Sequence, residues 1–167
     1  MKLKRDPLLH SLVKKLAATR FVVWLFAPLL HRLDAIALRL TRNRHTLSGI
    51  LTGVPTAVIT TTGAKTGKAH TLTLLRVPDP ARPDVFAVIA SNWSRPSYPA
   101  WYYNLKANPR ARCSIDGHAS TRAAHEAEGE EYERLWAAAL AIFPGYEKYK
   151  QRLGSSRRIP IMVMTPL

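Results

Sequence analysis

The chain has 167 residues, room for one domain with an appendage and a buried core of its own. An apolar content of 47% fits a globular protein, and the single cysteine, Cys113, excludes an intrachain disulfide and a cysteine-built zinc site, which points to a reducing cytoplasm. The net charge of +14 is uneven: residues 1–45 hold ten basic side chains against Asp6 and Asp34, a net +8, and the longer remainder carries +6. The N-terminal part is therefore the one suited to an anionic surface.

In chain order, Leu9, Leu12, Val13 and Leu16 recur at helical spacing, with Lys14, Lys15 and Arg20 elsewhere on the wheel. The apolar run "FVVWLFAPLL" (Phe21–Leu30) contains Pro28, falls short of the roughly 20 residues that span a bilayer, and is followed by no small-residue cleavage site. After Pro28 a second stripe, Leu29, Leu33, Ile36, Ala37 and Leu40, is flanked by Arg32, Arg39 and Arg42. Two basic amphipathic helices in tandem suit a membrane interface. The same stripe would also pack on the protein's own core, and the two uses are compatible.

From Pro55 the period changes to that of strands. "TAVITTT" (Thr56–Thr62), "AHTLTLLRV" (Ala69–Val77) and, after the turn "PDPARPD" (Pro78–Asp84), "VFAVIAS" (Val85–Ser91) are rich in β-branched and apolar residues. "ARCSIDG" and "ASTRAAHEA" form a hairpin around Gly117-His118, in which Cys113 alternates with Ala111 and Ile115 as a buried thiol. "AWYYNLKAN" is helix-like. Helical spacing over Tyr132–Phe143 stops at Pro144-Gly145, and "IPIMVMTPL" is a last strand. About six short strands with few helices between them predict an antiparallel barrel rather than a doubly wound sheet.

The connection "TTTGAKTGKAHT" (Thr60–Thr71) imitates a Walker A loop without satisfying it. Gly63 lies one residue too close to Gly67-Lys68, and Ala69 stands where a magnesium-binding hydroxyl is required. It also joins strand to strand rather than strand to helix. Gly63 and Gly67 permit φ > 0, which frees backbone N–H groups for an anion, and Lys65, Thr66 and Lys68 add two charges and a hydroxyl. A plain surface turn is the alternative.

No metal or nucleophile pattern is present. His125-Glu126 lacks the second histidine of a zincin, and no Gly-x-Ser-x-Gly elbow occurs. The run Glu126, Glu128, Glu130, Glu131 and Glu133 reads as a solvated helix start favoured by the dipole. Reactive chemistry, if the chain is an enzyme, belongs to a bound cofactor. "SNWSRPSYPAWYYNLKANP" (Ser91–Pro109) offers stacking surface in Trp93, Tyr98, Trp101, Tyr102 and Tyr103, with hydrogen bonds from Ser91, Asn92, Arg95 and Asn104. "FPGYEKYKQR" adds Tyr146 and Tyr149 on one helical face. A flat heterocycle with a phosphorylated tail would use all three segments.

Those segments and "RIPIMVMTP" resemble, in order and spacing, the deazaflavin-dependent nitroreductase and F420H2-dependent quinone reductase family of actinobacteria. The likeness covers residues 46–167, with a family-like basic helical extension over 1–45. It implies an α+β fold, mainly β, of the FMN-binding split-barrel type preceded by amphipathic helices. It also implies coenzyme F420 as cofactor, with flavin mononucleotide as the variant used by related barrels. The reaction implied is hydride transfer to a quinone, nitroaromatic or activated enone at the inner face of the plasma membrane.

Carried onto this chain, the resemblance gives Gly63, Lys65, Thr66, Gly67, Lys68 and His70 to the phosphate and acidic tail. Ser91 and Asn92 face the deazaflavin, and Trp101, Tyr102 and Asn104 shape the groove. Tyr146 and Tyr149 lie over the substrate pocket, with Tyr149 and Ser91 nearest the chemistry. Ala64 and His70 stand where the family often has arginines, and Thr73 where it has proline, which weakens the hold on the tail. That departure motivates a second reading, a non-catalytic lipid- or fatty-acid-binding barrel. An RNA-binding module is disfavoured, because the positive charge concentrates away from the aromatics.

Overall fold

The structure is a computed structural model that describes residues 54–167. The basic helices expected over residues 1–45 and the boundary between 45 and 46 lie outside the described residues. Seven strands form where apolar and β-branched side chains alternate: β1 (Thr56–Thr62), β2 (Ala69–Leu75), β3 (Val77–Asp79), β4 (Arg82–Ile89), β5 (Arg110–Ile115), β6 (His118–Glu126) and β7 (Ile161–Pro166). Three helices accompany them, α1 (Ala100–Ala107), α2 (Gly129–Ile142) and α3 (Gly145–Leu153).

The strands make one sheet in the order β2-β1-β5-β6-β7-β4-β3, antiparallel at every pairing. Its two outer strands are neighbours in the chain. Leu75 pairs with Thr56 on one edge and Val77 with Ala87 on the other, so Arg76 alone ties the edges together. The Arg76 N–H donates to Pro55 O at 2.8 Å, continuing the β1 ladder to the point of exchange. A sheet tied at both edges must curl, and the expected antiparallel barrel results. The strand expected over Ala69–Val77 is accordingly two strands, because the chain changes partners at Arg76.

Period-2 alternation sorts the side chains. Ala57, Ile59, Phe86, Val88, Ala111, Cys113, Met162 and Met164 fill the interior together with Trp101 and Leu105 of α1. Val85, Ala87, Ile89, Ile161 and Val163 face outward and are covered by Leu135, Trp136, Tyr149 and Leu153 of α2 and α3. Strands β4 and β7 are thus buried on both faces, which explains their unbroken apolar runs. Burial pushes the Cys113 thiol up to about 11, and the inert structural reading of that residue fits. No helix among the described residues is long and apolar enough to cross a membrane.

Turn chemistry differs from expectation in two places. The β5–β6 hairpin turns on Asp116-Gly117, both with positive φ (51° and 86°), and His118 already pairs with Ile115. Two left-handed residues in succession match the twist of the flanking strands, and Asp-Gly is the pair that tolerates them best. The turn expected across "PDPARPD" shrinks to Pro80-Ala81, because Asp79 accepts the Ala81 N–H at 2.9 Å and β4 starts at Arg82.

The acidic run divides: Glu128, Glu130 and Glu133 are exposed at the start of α2 as expected, whereas Glu126 and Glu131 are engaged by other elements. Glu126 ends β6 and meets Tyr102 and Lys106. Glu131 pairs with His125 at 2.9 Å and with Arg82. Arg82 and Arg134 both reach the fully buried Asp79 carboxylate, at 2.8 and 3.1 Å, so one ion network joins the β3–β4 hairpin, β6 and α2. Between α2 and α3 the Phe143 ring folds over Gly145, where a Cβ would stand 2.4 Å from its Cζ.

Burial alone would raise the Asp79 carboxyl, but hydrogen bonds from Arg134, the Ala81 N–H and Arg82 outweigh it and hold the group at about 2, below its ordinary 3.8. A depressed folded value means the stabilisation is complete above the unfolded value and is lost as pH falls toward 2. Asp79→Asn is expected to lower stability at pH 7 by roughly 2 kcal/mol, with the deficit shrinking below pH ~4. Denaturant unfolding at pH 7 and at pH 3 measures it; an equal deficit at both would remove the charge from the explanation.

Candidate functional site

The strand register brings the site's segments to one end of the barrel. Thr61, near the end of β1, lies opposite Ala111, near the start of β5. Glu126 at the end of β6 faces Met162, and Ile89 at the end of β4 faces Ile161. The connection 63–68 and the turn after β4 both emerge at this rim. Helix α1 lies across it with Trp101 and Leu105 sunk into the barrel.

Asn104 joins the connection to α1. Its Nδ2 donates to Thr61 Oγ1 at 3.0 Å and its Oδ1 accepts the Ala64 N–H at 3.0 Å. Within the loop, Gly67 N–H reaches Gly63 O and Gly63 N–H reaches Lys68 O, each at 2.8 Å, while Lys68 N–H reaches Thr66 Oγ1 at 3.3 Å. The glycines differ in purpose. Gly67 takes a left-handed φ of 66°, whereas Gly63 needs close approach: a Cβ there would stand 2.7 Å from Thr66 Oγ1 and 3.0 Å from His70 Nε2. Only Gly67 uses the positive φ expected of both.

The N–H groups of Lys65 and Thr66 meet no acceptor, and the exposed ammonium groups of Lys65 and Lys68 meet no carboxylate among the described residues. The loop thus leaves two adjacent amides unpaired between two exposed cations.

Beyond β4, Asn92, Trp93 and Ser94 adopt φ of 47°, 57° and 63° in succession. Their local bonds are Ser94 N–H to Ser91 O at 3.1 Å, Arg95 N–H to Asn92 O at 3.0 Å, and Asn92 Nδ2 to Ser97 O at 2.8 Å. The half-exposed Trp93 ring meets Tyr149 of α3 edge-on, with centroids 6.3 Å apart. Tyr149 is 2% exposed, and its hydroxyl, like that of Ser94, is buried without a hydrogen-bond partner. Burial pushes the Tyr149 phenol up to about 12, so it stays protonated at neutral pH and can only donate or accept as the neutral group.

The remaining expected residues divide between rim and support. Tyr146 is wedged against Trp136, Phe143 and Tyr149, with centroids 6.2, 5.2 and 6.1 Å away, and burial pushes its phenol up. The Tyr102 hydroxyl donates to Glu126 Oε2 at 2.9 Å, and Lys106 Nζ reaches the same oxygen at 3.1 Å. Burial, followed by that bond, raises the Tyr102 phenol to about 12. Trp101 plugs the barrel and Asn104 ties the loop, so both polar and apolar parts of α1 are engaged with protein. His70 lays its ring beside Gly63. Ser91 is half-buried, and its carbonyl is taken by Arg157.

Two residues escaped the sequence reading altogether. Arg157 holds the turn 91–95, and Arg158 donates to Ala127 O at 3.2 Å with its guanidinium 4.4 Å over the Tyr132 ring. Their one visible signal is a paired arginine directly before the last strand.

The sequence and the fold agree with those of known proteins. The sequence model of the F420H(2)-dependent quinone reductase family matches residues 33–166. The F420H(2)-dependent quinone reductase of Mycobacterium tuberculosis strain H37Rv is 32% identical over 114 residues, which is 66% of this chain and 73% of that one. A solved F420-H2 dependent reductase, FDR-A, superposes with a TM-score of 0.59 at 36% identity over 66% of this chain and 93% of that one. A chain described as a domain-swapped dimer gives a TM-score of 0.61 at 32% identity, covering 78% of this chain and 97% of that one. The protein therefore belongs to the F420H(2)-dependent quinone reductase family, and is an oxidoreductase of the split-barrel fold whose cofactor is coenzyme F420.

Proposed function

We propose that this chain passes a hydride from reduced F420 to a flat, electron-poor acceptor, a quinone first, with nitroaromatics and activated enones as members of the same chemical class. The observation that carries the reading is the arrangement at one rim of unsatisfied donors beside an aromatic shelf: the free amides and ammonium groups of the 63–68 loop, tied by Asn104 to α1, and the buried unpartnered hydroxyls of Ser94 and Tyr149. The donor set fits the cofactor, since a phosphate with a carboxylate-bearing tail is the ligand that two lysines and two amides hold well.

The Lys65 and Lys68 side chains, the Thr66 hydroxyl and the Lys65 and Thr66 N–H groups would bind that tail, on a loop shaped by Gly63 and Gly67. His70, set against Gly63, would offer a ring nitrogen where an arginine is more usual. Ser91 and Asn92 would border the ring system, and Trp101, Tyr102 and Asn104 would support it from α1. When bound, the reduced deazaflavin supplies the hydride. Tyr149, protonated and lacking a protein partner, would orient the acceptor oxygen and donate a proton toward it, with Tyr146 packed behind it. Residues 1–45, with a net +8, would hold the protein against an anionic cytoplasmic leaflet.

Titration with oxidised F420 should show a spectral change in the micromolar range. The Lys65→Ala/Lys68→Ala double variant should bind about tenfold more weakly with its fold intact, as expected for exposed charge-assisted contacts; wild-type affinity in that variant would dissociate the loop from the cofactor. Tyr149→Phe should leave F420 affinity unchanged and unfolding free energy unchanged or raised, since the lost hydroxyl has no partner, and lower turnover roughly 10–100-fold. Full turnover in that variant would remove Tyr149 from the chemistry. Liposomes containing anionic lipid should float the full chain and leave behind a chain lacking residues 1–45; equal flotation would end the membrane role.

A further inference from the structure

A left-handed turn of three residues without glycine is costly, because each L residue there crowds its Cβ against the following carbonyl oxygen. Asn92, Trp93 and Ser94 nevertheless occupy it together. The bonds from Ser94 N–H to Ser91 O, from Arg95 N–H to Asn92 O and from Asn92 Nδ2 to Ser97 O lie within the segment, so they form and break with it. Whatever imposes the turn must come from outside.

Two contacts from outside qualify. One is Tyr149 against Trp93. The other is the guanidinium of Arg157, which precedes β7. Its Nη2 donates to Ser91 O at 2.7 Å, Nε to Arg95 O at 2.9 Å, and Nη1 to Ala90 O at 3.3 Å and Arg158 O at 3.1 Å. The same group lies 4.8 Å over the Tyr98 ring. One planar cation thus grips the chain where it enters the turn and where it leaves. Its charge is spent on carbonyls rather than on any carboxylate. The arrangement needs a guanidinium, because an ammonium point charge cannot present several donors along one fixed plane.

We infer that Arg157 is a positioning residue: it holds residues 91–95 left-handed and thereby keeps Trp93 against Tyr149 and Ser91 at the rim. The effect on the turn follows from the contacts above, while its bearing on catalysis rests on the function proposed above. Removing Arg157 lets the strained residues relax, so the rim loses its shape although the barrel keeps its core.

The test uses the full chain carrying Arg157→Ala or Arg157→Lys and reads two independent signals. In amide hydrogen exchange, Ser94 and Arg95 are expected to exchange at least about tenfold faster in both variants, the factor set by losing charge-assisted hydrogen bonds, while amides of β4 and β7 keep wild-type protection. Methylguanidinium at millimolar concentration should restore protection in Arg157→Ala and not in Arg157→Lys. In F420 titration, affinity should fall several-fold in both variants and recover under the same rescue in Arg157→Ala alone.

Wild-type exchange at Ser94 and Arg95 in either folded variant overturns the inference, as does acceleration spread evenly over the barrel. Should Arg157→Ala fail to fold, Arg157→Lys decides alone. Loss of protection with unaltered F420 affinity keeps the clamp and overturns its role at the site. A wild-type protein that binds no F420 sinks the proposed function, and the exchange result still decides the clamp.

Discussion

Because only Arg76 separates β2 from β3, the two edges of the seven-stranded sheet are held within one residue of each other, and the sheet has nowhere to go but around. Closure has three consequences. It brings the two outer strands, β2 and β3, together at Arg76, although no ladder pairs one with the other. It encloses a core of modest side chains, from Ala57 to Met164, sealed at one end by Trp101 and Leu105. It also sets the register that delivers the ends of β1, β4 and β6 to a common rim. The functional segments are far apart in sequence, and closure is what makes them neighbours.

At that rim, the distribution of unsatisfied groups separates architecture from chemistry. Asn104, Glu126, Arg157 and Arg158 spend their polar atoms on the protein itself, fastening the loop, α1 and the turn. Lys65, Thr66, Lys68, Ser94 and Tyr149 keep donors without acceptors. Leaving a buried hydroxyl unpaired costs free energy, and the Tyr149 and Ser94 hydroxyls carry that cost in the protein alone. Left-handed strain in Asn92, Trp93 and Ser94 is of the same kind: an unfavourable local state maintained by surroundings that over-determine it.

Much of this was legible in the sequence because it depends on short-range patterns. Alternation exposed β1, β4, β5, β6 and β7, helical spacing exposed α2, and the order of the glycine-lysine, aromatic and tyrosine segments carried the family resemblance. What stayed hidden depends on long-range partners. The break at Arg76 reflects which strand Val77 pairs with, a choice no local window contains. Glu126 and Glu131 read as solvent-facing until Arg82, His125 and Lys106 arrive from other elements. Asn104 looked like a groove residue, yet its amide is committed 43 positions away, to Thr61. The hydrogen bonds of Arg157 all go to carbonyls, and carbonyls are the same in every sequence, so those partners carry no mark that points back to it.

The sealed interior also gives the molecule a built-in clock. Cys113 is the chain's single thiol, it sits at 0% exposure inside the barrel, and burial keeps it in the unreactive protonated form. A thiol reagent can reach it only when the staves part. The rate at which the native protein is alkylated therefore reports the opening of the barrel, as an opening rate when reagent outpaces reclosing and as an open population when it does not, and ligands that brace the rim should slow it.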